Sequence, residues 1–384
     1  MDLRYSFKKI IRKIHLWLGM LTGPVVFIVS ITGAIYAFQE EINLLLQAGV
    51  YKNVTPEAKP FLTPEEIRQK SLDFFQREDI IYMTATVYPK GDRATIVWLR
   101  DSNRKYTAIM LNPYSGEVIH SFPYNINFWA IILGLHTHLL IPVVGSHLVS
   151  ISTLLFVIIL ISGLVLWYPK QKKHLRQRLT IKWGASPKRL NYDLHNVLGF
   201  YMSWIVIFVI LTGLILSYDW MRNSVYWVAT AGQSPVKEIP VTSAIPDDPA
   251  LPGGQAEKSI LSIIASYSNL DNYFLKYAVD SAGYYELTLN SKEGYFYNKH
   301  DHFAIDQYTG EKLKKDLWED KNSGDKLLEA NLNIHIGQIL GFPGKVLAFF
   351  ASLIAASLPV TGFLIWKGRR KQSKKVLKKS RVMQ

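Results

Sequence analysis

The chain has 384 residues, of which 49% are hydrophobic and 19% charged, with a formal net charge of +14 and no cysteine. Its four long apolar runs exceed what one soluble core accommodates, which excludes an ordinary soluble protein and indicates an integral membrane protein. The absence of cysteine excludes disulfides, thiol catalysis and cysteine-ligated iron–sulfur clusters, so any redox centre has to be held by histidine.

Residues 1–42 form a basic start, Met1–Lys13, and a first span over about Ile14 to Phe38, too long for a cleaved signal and therefore read as retained. Residues 43–127 are a polar insertion. Within it TPEEIRQKSLDFFQR, from Thr63, reads as a capped helix start with Pro64 in the first turn. The alternating runs YMTATVYP, ATIVWLR and KYTAIMLNP, with a turn at Gly116, read as strands. Residues 128–169 carry the second span, expected as one stretch from His136 to Pro169 whose last 22 residues before the proline are uncharged, enough to cross a hydrocarbon core of roughly 30 Å. A basic loop, 170–193, leads to a third span at 194–218.

The second insertion, 219–334, repeats the plan of the first. A helix over Ala256–Ser268 precedes the strand-like runs YFLKYAV, YYELTLN, YFYN and HFAIDQ, and Pro235–Gly254 reads as a loop. The fourth span occupies 335–366 and a basic tail 367–384. Half of the 44 lysines and arginines crowd into Met1–Lys13, Lys170–Arg189 and Lys367–Arg381. By the positive-inside rule both termini and the middle loop are cytoplasmic and both insertions external. The positive charge is thus a topology signal directed at the lipid bilayer, and no nucleic-acid partner is expected.

The intervals reveal a duplication. His15 is followed by Gly19 and Gly33, and His195 by Gly199 and Gly213, at the same spacings; His136 to Gly163 and His335 to Gly362 are both 27 residues. The turns NPYSGE and DQYTGE match as well. The expected fold is an α-helical membrane protein with four transmembrane helices as two tandem repeats, each carrying a small external α+β module.

Histidine placement points to chemistry. Ionisable residues in spans are costly and mark function. His15 and His195 begin outgoing spans, and His136 and His335 begin returning ones. Imidazoles from facing helices at equal depth suit the two axial positions of a haem b iron, so two haems are expected, one held by His15 with His195 and one by His136 with His335. Two other readings stay open: interfacial histidines that bond carbonyls, and a zinc or iron ion without haem. His147 and His138 are further candidate ligands. Arg12 and Arg189 are candidates for haem propionates or anionic lipid. In the second insertion Tyr295, Tyr297, His300 and His302 form a candidate cluster for a planar chelate. No glycine-rich dinucleotide fingerprint lies between a strand and a helix.

The H-x-x-x-G span starts, LHTHLL, VSISTLLFVIILISGLVLWYP, GQILGFPGKVLAFFASLIAASLPVTGFLIWKG and the NPYSGE and DQYTGE turns resemble the PepSY-associated transmembrane helix family over essentially the whole chain. The resemblance implies two periplasmic α+β PepSY-like domains and a place in the bacterial inner membrane. It also implies the activity of a ferric-siderophore reductase with two b-type haems, His15, His136, His195 and His335 standing at the family's histidine positions; His147 departs from the pattern. The expected function is transmembrane electron transfer from a cytoplasmic reductase or membrane quinol to a ferric siderophore or other Fe(III) chelate, which releases Fe(II). The rival class is a membrane-tethered PepSY binding or regulatory protein, for example a peptidase inhibitor, without redox activity.

Overall fold

A computed structural model describes residues 3–46, 54–76, 79–103, 105–123, 127–169, 171–235, 240–246, 254–293 and 297–382. In chain order the helices are α1 (Leu3–Tyr36), α2 (Gln39–Leu46), α3 (Pro64–Phe75), α4 (Phe128–His138), α5 (Val144–Trp167) and α6 (Leu175–Leu179). They continue as α7 (Pro187–Asp193), α8 (Gly199–Ser217), α9 (Asp219–Ala229), α10 (Gln255–Ala265), α11 (Ser323–His335) and α12 (Gly341–Val382). The strands are β1 (Ile80–Val87), β2 (Thr95–Asp101), β3 (Tyr106–Leu111), β4 (Val118–Pro123), β5 (Leu270–Lys276), β6 (Tyr284–Glu293), β7 (Tyr297–Asp306) and β8 (Lys312–Asp316). Two compact units result. One comprises Met1–Ala37, Ile132–Val225 and Ala330–Gln384, the other Phe38–Ile131 and Tyr226–Glu329.

The first unit holds four helical stretches long and apolar enough to cross a membrane: Phe7–Tyr36, Val144–Trp167, Pro187–Ser217 and Gln338–Arg370. α1 packs along α5 and α12, and α8 packs along the same two, so α1 and α8 lie on a diagonal. The α8–α12 contact sets Val206, Ile210 and Leu214 against Ala351 and Ala355. Small residues at that seam let two backbones approach where no hydrophobic driving force separates helix from lipid. Trp17, Leu21, Phe208 and Phe350 are exposed, as lipid-facing side chains must be.

The single stretch expected from His136 to Pro169 is in fact two helices. α4 ends at His138, the chain reverses through Leu139, Leu140 and Val143, all with positive φ, and α5 begins at Val144. The fourth span breaks in the same way, between α11, which ends at His335, and α12. The physical reason is a close approach that only glycine permits: a Cβ on Gly145 would lie 1.8 Å from the His138 carbonyl oxygen, and one on Gly344 would lie 2.2 Å from that of Gly337. His136 and His335 therefore sit in the last turns of separate short helices and do not begin the spans.

In the second unit the two insertions, expected as separate modules, share one antiparallel sheet of order β4-β3-β2-β1-β5-β6-β7-β8. The seam is β1 against β5, with Thr84 opposite Lys276 and Val87 opposite Tyr273. Alternate residues explain the union. Met83, Ala85, Val97, Leu99, Ile109, Leu111, Leu275, Leu287, Leu289 and Ile305 all face one side, where Ile67 of α3 and Ile260 and Ile263 of α10 close a continuous core. α3 starts as the sequence predicts, with the Thr63 side chain accepting from Glu66 N–H and Glu66 accepting from Thr63 N–H. The NPYSGE and DQYTGE turns are alike: Asn112 Oδ1 accepts from Tyr114 and Ser115 N–H, Asp306 Oδ1 from Tyr308 and Thr309 N–H, and Gly116 and Gly310 take φ of 73° and 72°. Most of the expected Pro235–Gly254 loop lies outside the described residues.

The seam is tested by stability. Leu275→Ala removes a side chain that is 1% exposed and should destabilise the second unit by about 2–5 kcal/mol. Tyr277→Phe removes the O–H that reaches from one insertion to the Pro64 carbonyl of the other, 2.8 Å away, and should cost about 1–3 kcal/mol. Denaturant unfolding followed by tryptophan fluorescence measures both, and a Leu275→Ala cost below about 1 kcal/mol would mean that the insertions do not share a core.

Candidate functional site

Four imidazoles of the first unit meet in two pairs. The rings of His15 and His195 have centroids 6.4 Å apart, and those of His136 and His335 are 6.1 Å apart. The sequence expects these pairs and the structure brings both together. Each ring lies over a glycine of a neighbouring helix. Built Cβ atoms on Gly163, Gly362 and Gly213 would stand 3.3, 3.2 and 3.3 Å from Cε1 of His15, His195 and His335, and one on Gly33 would stand 2.7 Å from Cε1 of His136. A larger residue at Gly33 would force the His136 ring to shift, and one at the other three positions would press the ring by a few tenths of an ångström.

The residues beside those glycines fix the tautomer. His15 Nδ1 bonds the Ile159 carbonyl (3.1 Å) and Ser162 Oγ (2.9 Å), and His335 Nδ1 bonds the Val209 carbonyl (3.0 Å) and Thr212 Oγ1 (2.9 Å). His136 Nδ1 bonds the Val29 carbonyl (2.9 Å) and His195 Nδ1 bonds Thr361 Oγ1 (2.9 Å). A carbonyl only accepts, so Nδ1 carries the proton. The hydroxyls of Ser162, Thr212 and Thr361 already donate to carbonyls of their own helices, at 2.9, 2.7 and 3.0 Å, and so can only accept from the ring. Nε2 is left with its lone pair, the form that binds a metal. His195 also lies in a π-helical turn, Leu194–Leu198, a local irregularity frequent at functional sites.

Around His15 and His195 lies a cavity of about 340 Å³. Gly19 and Gly199, one turn beyond the histidines, line it; a Cβ on Gly19 would meet nothing within 4 Å. Arg12 also lines it, as do Tyr192, Arg178 and Arg369, which sequence reasoning does not single out. Arg189 is engaged elsewhere, 2.9 Å from the buried carboxylate of Asp193. His147 is exposed on α5, and His138 bonds Thr137 of its own helix, so neither joins a pair. Ser162, Thr212 and Thr361 were also missed. Their signal is a small hydroxyl residue before each ring-bearing glycine, in the pairs Thr32-Gly33, Ser162-Gly163, Thr212-Gly213 and Thr361-Gly362.

The chelate cluster expected in the second insertion is assembled differently. Tyr295 lies outside the described residues, and of Tyr297 only the backbone at the start of β7 is described. His300 bonds Asn290, and His302 bonds Thr288 (2.9 Å) and stands 3.7 Å from Glu329. His302, Asp316 and Glu329 offer ligand atoms within 4.8 Å of one another. The buried ammonium of Lys321 already serves this group, bonding Glu329 and lying 3.5 Å from Asp316. Burial alone would raise the Glu329 carboxyl, but the bonds from His302 and Lys321 outweigh it and hold the group below the usual carboxylate range.

A depressed folded-state value means stability that is present above the unfolded value, about 4.3, and lost as pH falls through the folded one. Lys321→Met should therefore cost about 1–3 kcal/mol at pH 7, where it strands a partly buried carboxylate, and distinctly less near pH 4. Thermal unfolding of both proteins at the two pH values measures this, and an equal cost at both would show that Lys321 acts by packing alone.

No curated protein sequence matches the chain. Residues 12–369, which include all four paired histidines, their glycines and both insertions, match the family described as PepSY-associated TM region. The protein is a membrane protein that belongs to the PepSY-associated TM region family.

Proposed function

We propose that this protein is a di-haem b electron carrier of the bacterial inner membrane that reduces a periplasmic ferric siderophore or other Fe(III) chelate and releases Fe(II). The observation that carries the reading is the preparation of four imidazoles, in two pairs, with Nδ1 committed to a neighbouring helix and Nε2 free. Two metal–imidazole bonds of about 2 Å plus the half-widths of two rings span a distance close to the 6.4 and 6.1 Å between centroids. The donor set, two neutral nitrogens with no third ligand among the described residues, suits a six-coordinate haem better than a tetrahedral zinc.

His15 and His195 would hold one group, and His136 and His335 the other. A haem b bound at each pair supplies reversible one-electron chemistry at iron. The chain's own part is positional: the Nδ1–H bonds orient each ring and raise the basicity of Nε2, the glycines admit the ring edges, and the apolar walls exclude water. The pairs are separated by the 18 residues of α1 from His15 to Gly33, about 27 Å of rise, close to the thickness of a bilayer core. The four basic-flanked spans favour cytoplasmic termini, so the His15–His195 pair belongs to the donor side, where a cytoplasmic reductase or membrane quinol delivers electrons. Fe(II) holds hard oxygen donors less firmly than Fe(III), which makes reduction a release step. The repeat reading is supported by the matched histidine–glycine seats in the two halves and by the two like turns.

Purified protein from haem-supplied cells should contain two b-type haems per chain. His15→Ala or His195→Ala should remove the same one, and His136→Ala or His335→Ala the other, as read by haem-to-protein ratio and redox titration. Dithionite-reduced protein should reoxidise on mixing with a ferric siderophore, with Fe(II) appearing in step. A colourless preparation would end the reading in favour of the non-redox PepSY binding protein. Reporter fusions at Asn290 and Lys182 should give external and cytoplasmic signals respectively; the reverse would invert the direction of transfer.

A further inference from the structure

We infer that Arg12, Arg178 and Arg369 form a carboxylate site at the rim of the cavity beside His15 and His195, and that its ligand is the two propionates of the haem those histidines hold. The inference rests on the haem reading above. All three arginines line the cavity, and among the described residues that line it there is no Asp or Glu. The acid on the same stretch as His195, Asp193, is 2% exposed and already bonds Arg189 (2.9 Å) and the Lys182 N–H. The three guanidiniums thus stand together beside an otherwise largely apolar, glycine-rich interior. A flat apolar ring with two anionic arms at one edge matches both features.

The arginines are placed in register with the histidines. Arg12 lies one turn before His15, and Tyr192 stands one turn before His195. Arg178 Nη1 donates to the Tyr192 hydroxyl at 2.8 Å, so one guanidinium stands one turn before His15 on α1 and another is held by the residue one turn before His195 on α7. Arg178 is itself held in place. Trp167 Nε1 donates to its carbonyl (3.2 Å), and the Trp167 ring stacks on Phe200 at 3.7 Å, so walls of the same cavity fix α6. A lipid phosphate presents similar oxyanions, and the experiment has to separate the two sources.

The test compares haem b with its dimethyl ester, which lacks the carboxylates, in full-length protein produced in haem-deficient cells and embedded in nanodiscs of neutral or of anionic lipid. Wild-type protein should bind the ester at the His15–His195 pair at least about tenfold more weakly than haem. Arg12→Gln and Arg178→Gln should each weaken haem binding by about tenfold, leave ester binding unchanged, and behave alike in both lipids. Arg12→Lys, which keeps the charge, should recover part of the loss, and retention of the haem at His136 and His335 shows that the variants fold. Equal weakening of haem and ester, or a loss seen only in anionic lipid, would overturn the propionate assignment while leaving the di-haem reading intact. A wild type that binds neither compound would overturn both.

Discussion

The geometry of the first unit depends on one arrangement, an imidazole lying on a glycine of the adjacent helix with its Nδ1–H directed at the backbone of the preceding turn. Four such contacts link α1 with α5, α4 with α1, the π-helical turn at His195 with α12, and α11 with α8. In each half the contacts are reciprocal: His15 of α1 sits on Gly163 of α5, while His136 of α4 sits on Gly33 of α1. A helix tied to one neighbour near its start and to another near its end, as α1 is, has little freedom to slide or rotate. The same contacts that hold the helices in register therefore also hold the rings, and a change in helix packing alters the ring geometry directly.

The helix breaks are a consequence of that arrangement. A histidine on a continuous returning span would share its axis with the rest of the span. Ending α4 at His138 and α11 at His335 lets the imidazoles approach along separate short helices, and Gly145 and Gly344 close each reversal against a carbonyl. In both halves the glycine lies nine residues after the histidine. Three non-glycine residues with positive φ between α4 and α5 are costly conformations, and their concentration next to His136 associates the strain with the site.

Local features were legible in the sequence because local physics fixes them. The Thr63 capping box, the strand alternation, the glycine turns and the four apolar stretches all depend on residues within a few positions of one another. The pairing of His15 with His195 and of His136 with His335 was legible too, through repeated intervals. Three features were not. The β1–β5 seam joins edges far apart in sequence, and alternation specifies a face without naming the neighbouring strand. The helix breaks were hidden by the unbroken hydrophobicity from Leu139 to Val144, since hydropathy does not report backbone reversal. Arg189 resembled a cofactor contact by its position near His195, but Asp193, four residues on, is a closer and better buried partner.

The two units surround their histidines with different kinds of partner. In the sheet unit His302 lies near Glu329, and Glu329 bonds Lys321, so charge is met by charge. At the paired histidines the described partners are backbone carbonyls and hydroxyls, which accept a hydrogen bond from Nδ1–H without adding a negative charge. A carboxylate in that place would favour imidazolium, whose nitrogens have no lone pair to offer. Neutral acceptors orient the ring and leave Nε2 available. All four rings are served by uncharged acceptors of a neighbouring helix, and it is this shared arrangement on which the proposed haem sites rest.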